Sequence, residues 1–212
     1  MSVIDPPGSD QLPDQHVILE GISWSLYQSL RGLSENRGKR MIYDRGVLEI
    51  VTLSSFHERL AQMIARFIDE WTVFHDIPVI GCGSMTCQNA LLGRGLEPDR
   101  CYYIAHAAQV RNEQQIDLRH TPPPDLVVEV DHRSGSRDKL PIYAALGVPE
   151  VWRWHRETLG LYRLVGERFI EASDSLALPG FPFDALQAAL IQRHQVDETR
   201  LVRAFRQSLS SH

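Results

Sequence analysis

The chain has 212 residues, 43% hydrophobic and 23% charged, ordinary proportions for one globular domain large enough to bury a core. A formal net charge of −5 argues against a protein that coats nucleic acid indiscriminately, but leaves room for an enzyme with a local basic face. No apolar run approaches the ~20 residues of a membrane helix, and the first residues lack the basic start and apolar core of a signal peptide.

Residues 1–15, rich in Pro, Gly and Asp, read as a flexible lead-in, and 16–212 as a single domain. Apolar spacing at Ile22, Leu26, Leu30 and Leu33 predicts a helix over 22–33, with Ser23 as its cap. Arg40–Asp44 and Val47–Thr52 read as a hairpin around Arg45 and Gly46, with Glu49 on the face of Val47 and Val51. Ser54 or Ser55 then caps the longest helix, which runs to about Phe74 and buries Leu60, Ile64, Phe67, Ile68 and Trp71. His57 and Glu58 lie in its first turn. Ala61 stands four residues after His57, so the HExxH zinc motif is absent.

Residues 79–92 read as extended structure. A continuous strand over 96–104 would put Glu97, Asp99, Cys101 and Tyr103 on one face. Cys82, Cys87 and Cys101 lack CxxC spacing and are odd in number, which fits reduced thiols in a cytoplasmic protein. After a polar connection, Pro122, Pro123 and Pro124 stiffen an entry that cannot be helical. Asp125 to Asp131 then alternates. Leu126, Val128 and Val130 form one aliphatic face, and Asp125, Val127, Glu129 and Asp131 the other. Glu129 and Asp131 project the same way, roughly 7 Å apart along the strand. Burying such acids is costly unless they are paired or bind a metal. Asp125, directly after proline, reads as a turn cap.

A polar loop over 132–137 leads to a short helix from about Asp138, its predicted N-cap, to Leu146, with Pro141 in the first turn and Gly147 as the stop. Lys139 thus sits where it can lean back over the acidic strand. Three short strands follow within 150–172, with Gly160 and Gly166 near their turns. Trp152 and Trp154 share one face and read as core or interface. Two helices close the chain, over 183–192 and 197–209, the second with an apolar stripe of Leu201, Ala204, Phe205 and Leu209.

The order Pro-Asp (98–99), a strand carrying Glu129 and a nearby lysine resembles the active site of the PD-(D/E)XK nuclease superfamily. The stretches GVLEIVTLSSFHERL (46–60), GSMT (83–86), LEPDRCYYI (96–104), PPPDLVVEV (122–130) and KLPIYAALGVPEVWRW (139–154) are similar to the Uma-two family of predicted bacterial restriction endonucleases, over roughly residues 19–190. The resemblance implies an α/β (α+β) restriction-endonuclease-like core, a central mixed β-sheet flanked by helices. It also implies a metal-dependent endonuclease acting on DNA, with Asp99 and Glu129 holding Mg²⁺ or Mn²⁺ and Lys139 completing a catalytic trio.

One position departs from the superfamily pattern. Asp131 stands two residues after Glu129, where the motif has lysine, so Lys139 on the next helix is the natural substitute and Asp131 becomes a candidate third carboxylate. The resemblance also places His57 near the site, against the alternative of a histidine packed on the sheet. Glu49 and Glu97 are candidates for acids one layer out, against plain surface or structural roles. Candidates for a basic DNA-facing patch are Arg37, Lys39, Arg40, Arg133, Arg137, Arg153 and Arg156, against a solvated mixed-charge surface. A homodimer would suit cleavage of both strands. The alternative function is a nuclease-like fold that no longer cuts and binds nucleic acid or protein instead.

Overall fold

The computed structural model describes residues 14–114, 116–131 and 138–210. The loop expected over 132–137, with Arg133 and Arg137, lies outside the described residues, as does most of the expected lead-in. Asp14 and Gln15, at the end of that lead-in, have defined places in the fold.

In chain order the elements are β1 (Gln15–Leu19), α1 (Trp24–Gly32), β2 (Arg40–Asp44), β3 (Val47–Thr52), α2 (Ser55–Phe74), β4 (Ile80–Gly81), β5 (Cys87–Asn89), β6 (Arg94–Leu96) and β7 (Arg100–Tyr103). They continue with α3 (Ala107–Val110), β8 (Leu126–Asp131), α4 (Leu140–Leu146), β9 (Glu150–His155), β10 (Thr158–Val165), β11 (Arg168–Glu171), α5 (Phe183–Gln192) and α6 (Glu198–Leu209). Two sheets result among the described residues. One runs β1-β3-β2-β6-β5 and the other β11-β10-β9-β8-β7-β4.

The second sheet is the expected mixed one: β8 pairs parallel with β9 and antiparallel with β7. All six residues of β8 are buried, as a strand covered on both faces requires. Leu126, Val128 and Val130 join Trp152 and Trp154 against Leu60, Ile64, Phe67 and Ile68 of α2, with α5 and α6 closing the same core. On the other face Val127 and Val151 pack with Ile142 and Tyr143 of α4, and beyond them with Ile42, Val51, Cys87 and Leu96 of the first sheet. The acidic face of β8 therefore looks into a space between two sheets, with α4 wedged in it.

Several local expectations need correction. The strand predicted over 96–104 is broken, because Pro98 has no N–H to continue a ladder. Residues before the break belong to β6 in the first sheet and those after it to β7 in the second. Glu97 consequently does not share a strand face with Asp99. In α1 the fully buried residue is Tyr27, stacked on Tyr43 at 4.8 Å, whereas Leu26 and Leu33 are exposed. Lys139, not Asp138, is the N-cap residue of α4, although Asp138 Oδ1 still accepts Leu140 N–H at 3.2 Å. Gly147 ends that helix at φ 77°, in the left-handed region that glycine enters without steric cost. Gly160 lies inside β10 rather than at a turn, and the β9–β10 turn falls on Arg156 and Glu157. In α6, Val202 takes the buried place expected of Ala204, which is exposed.

Candidate active site

The pairing of β7 with β8 brings the acids together. Arg100 pairs with Val128 across β7 and β8, so continuing the register by one residue sets Asp99 opposite Glu129. On the other side Glu129 pairs with Arg153 and Asp131 with His155. Asp99 is fixed by the strand edge itself: its Oδ2 accepts the Val130 N–H at 2.8 Å.

Lys139 and Tyr143, one helical turn apart on α4, reach down together. Lys139 Nζ donates to Glu129 Oε2 at 2.5 Å and lies 3.7 Å from Asp131 Oδ1. The Tyr143 hydroxyl donates to Glu129 Oε1. Arg153 Nε donates to Asp131 Oδ2 at 2.5 Å.

From the opposite side, His57 in the first turn of α2 bridges two carboxylates. Its Nε2 lies 2.9 Å from Asp99 Oδ2, a contact of charge rather than of a well-aligned hydrogen bond, and its Nδ1 lies 3.0 Å from Asp14 Oδ2. Asp14 Oδ1 also accepts the Ser54 N–H at 2.7 Å, tying the start of α2 to the chain ahead of β1.

These contacts set the charges. Burial works against a charged His57, yet Asp14 and Asp99 outweigh it and raise its pKa to about 10, so the ring is an imidazolium at neutral pH. Burial would likewise raise Asp99, but His57, helped by Lys139 and the Val130 N–H, holds it below the ordinary range. For Glu129 burial wins. With Asp99 and Asp131 adding to it against the pull of Lys139, its carboxyl is pushed up to about 7. Lys139 loses solvation too, but the surrounding acids, Glu129 first, raise its pKa and keep it an ammonium.

The structure therefore gathers Asp99, Glu129, Lys139, His57 and Asp131 in one place. It sets the two outer candidates elsewhere in the contact network. Glu49 is fully buried and bonds His16 of β1 at 2.8 Å, and Glu97 accepts from Thr86 at 3.2 Å. Asp125 caps a turn as expected, accepting the N–H groups of Ile104 and His106. Of the basic-patch candidates, Arg153 belongs to the cluster and Arg40 faces Glu58. Tyr143 and Asp14 were missed. The signal for Tyr143 was its position four residues after Lys139; Asp14 carried none, in a stretch whose composition reads as disordered.

The family profile described as "Putative restriction endonuclease", Uma2, matches residues 24–190, most of the chain and all of the cluster except Asp14. The chain belongs to the Uma2 family. No curated protein matches the sequence. A solved structure with a similar fold is that of "a putative nuclease belonging to DUF820" from Anabaena variabilis. It is 16% identical, with a TM-score of 0.55, and the match covers 80% of this chain and 99% of that one. At that identity the likeness speaks for the fold alone, and it agrees with the restriction-endonuclease-like core expected of a Uma2 protein.

The donor set of this Uma2 site fits a hard divalent cation. Mg²⁺ is typically held by one or two carboxylates, with waters and substrate phosphate filling the remaining positions. Asp99, one residue ahead of β7, and Glu129 on β8 are two such carboxylates set side by side, and burial, with Asp99 and Asp131 adding to it, is what pushes the Glu129 carboxyl up. No group of three or more His, Cys, Asp or Glu that could hold a metal ion occurs among the described residues.

The raised Glu129 carboxyl has a measurable consequence without metal. A carboxyl raised from 4.5 to about 7 on folding binds its proton more tightly folded than unfolded. Wild-type stability therefore loses this contribution as pH rises from about 4.5 to about 7. Glu129→Gln lacks the titration, so in chelator-treated buffer its urea-unfolding free energy should gain on wild type across that window and run parallel above it. A difference that stays constant, or shrinks with rising pH, would show that Glu129 is not raised.

Proposed function

We propose that the protein is a divalent-metal-dependent endonuclease that hydrolyses DNA phosphodiester bonds, with Asp99 and Glu129 as metal ligands and Lys139 as the charge-stabilising cation. The observation that carries this reading is the Lys139 ammonium 2.5 Å from Glu129, on a helix, where the superfamily lysine would sit on the strand. When bound, a divalent cation supplies an activated water and neutralises charge building on the phosphate. Asp99 and Glu129 would orient it from two strands. Lys139, kept cationic by the acids around it, would face the scissile phosphate and stabilise its transition state. Tyr143 fixes the second Glu129 oxygen, and His57 holds Asp99 ionised.

The remaining acid, Asp131, is already neutralised by Arg153, which supports a positioning role rather than a third metal ligand. The three cysteines are free, consistent with a reducing cytoplasm, and a homodimer would present two sites to two strands. Sedimentation of the protein with and without duplex DNA tests the dimer.

A second reading has one observation in its favour. Both Glu129 oxygens are occupied by protein donors, and the cavity beside them measures only about 10 Å³. A nuclease-like fold that binds without cutting would keep such a closed cluster. Incubation with supercoiled plasmid and with single-stranded DNA in Mg²⁺ or Mn²⁺ separates the two, since only the enzyme nicks.

Lys139→Ala refines the test. Cleavage should fall ~100-fold or more, as on removal of one charge-stabilising group, while Mn²⁺ affinity changes little. A variant that cuts at the wild-type rate would remove Lys139 from the mechanism.

A further inference from the structure

We propose that a cavity of about 290 Å³ on the α1-covered face of the five-stranded sheet is a nucleobase pocket, separate from the acidic cluster. Its lining includes Trp24, Gln28, Thr86, Gln88, Asp117 and Arg119. The Trp24 ring is half-buried and held by Tyr27 and Tyr43 at 5.1 and 5.4 Å, so its orientation is set before anything binds. A fixed aromatic wall is the usual platform for an unstacked base.

The polar lining supplies the edge recognition. Gln28 Nε2 donates to Gln88 Oε1 at 2.7 Å, across from α1 to β5. Each carboxamide has both a donor and an acceptor end. The bond therefore leaves Gln28 Oε1 as an acceptor and Gln88 Nε2 as a donor, with no other partner among the described residues. Exchanging the ends of both amides swaps these roles but again leaves one donor and one acceptor. Every nucleobase has an edge with a neighbouring donor and acceptor, the pattern that a carboxamide reads on adenine.

Thr86 is pinned as well, accepting from Arg31 Nη1 at 2.8 Å and donating to Glu97 at 3.2 Å. The charged lining residues cancel, since Arg119 Nε meets Asp117 Oδ1 and Oδ2 at 3.0 and 2.9 Å. The pocket thus has little net charge for a phosphate, and the base is what it recognises. Its volume falls at the lower end of the ~300–1,000 Å³ of ligand pockets, which suits one or two fused rings.

Placement separates this pocket from the cleavage site. Gln88 faces α1, while its neighbour Cys87 and the β6 residue Leu96 face the other way, packing with Tyr143. The occupant is either a free nucleoside or a base of a nucleic acid strand away from the bond being cut. The proposal goes beyond the endonuclease reading and does not depend on it.

Fluorescence tests it directly. Trp71, Trp152 and Trp154 are buried, so Trp24 is the tryptophan that a nucleoside can quench. Titrating the full chain with adenosine, guanosine, cytidine and thymidine to millimolar concentration should give saturable quenching with at least one. Its 5′-monophosphate should bind about as well. Gln88→Leu and Gln28→Leu should each weaken binding ~10-fold, the loss of one hydrogen-bonding group at a pocket edge. Gln28 is half-buried on α1, outside the sheet, so its variant remains informative if Gln88→Leu does not fold.

In an Asp99→Asn background without added divalent metal, so that the strand stays intact, displacement of the nucleoside by a single-stranded oligonucleotide identifies a strand base as the occupant. Lack of displacement identifies the free nucleoside. No saturable quenching by any of the four, or quenching unchanged in both glutamine variants, would overturn the proposal.

Discussion

Asp99→Asn protein should cleave DNA ~10³-fold more slowly than wild type, or not measurably, while remaining folded. Asparagine keeps an oxygen for the Val130 N–H, so the strand-edge contact at 2.8 Å survives. It loses the charge that a divalent cation needs, and calorimetry with Mn²⁺ should show most of the binding heat gone. His57 keeps its second carboxylate, Asp14, and so is not left as an unpaired buried cation. Asp99→Ala is the harsher change because it removes the acceptor as well, and it should lower stability in addition to activity. Wild-type cleavage by Asp99→Asn at saturating Mg²⁺ would eliminate the proposed metal site.

The second large effect falls on folding. Val128 is fully buried in the apolar core it shares with Trp152 and the α2 side chains Ile64, Phe67 and Ile68, where a new carboxylate would lose its water. Val128→Asp should cost on the order of 5 kcal/mol, comparable to the whole stability of a domain, and give insoluble or unfolded protein. Val128→Ala is the control: destabilised by a small cavity, but still cooperative in urea. A soluble Val128→Asp protein with a sharp unfolding transition would mean that this face of β8 does not meet α2.

That face was legible in the sequence because strand alternation is a strict period, and Leu126, Val128 and Val130 fall on it without exception. The long helix was equally plain, from a cap at Ser54 or Ser55 to Phe74, and Ser54 is the residue that caps it. The lysine reaching back from a short helix was also foreseeable, since Pro141 and Gly147 fix where that helix begins and ends. What periodicity could not show was the partner of each acid. Read alone, Asp99 and Glu129 look like crowded charges whose removal would relieve repulsion. In the fold they stand among His57, Lys139 and Arg153, and for Asp99 the sign of the expected stability effect reverses.

The break at Pro98 illustrates a different limit. Alternation alone allowed one strand over 96–104, and only the two-sheet topology shows that the chain changes sheets there, carrying Glu97 away. Asp14 was hidden for a third reason. A residue that acts through contacts at separations of 40 and 43 positions leaves no local pattern.

The depth of the cluster also bears on ionic strength. Salt screens exposed charges over about a Debye length but acts much less on pairs shielded from solvent. The Lys139–Glu129 and His57–Asp99 pairs are of the second kind, with side chains at most 14% exposed. Contacts to a DNA backbone are of the first kind, and their affinity falls steeply with added salt. Raising NaCl should therefore release substrate well before it loosens the site. Activity lost at high salt should return in full on dilution.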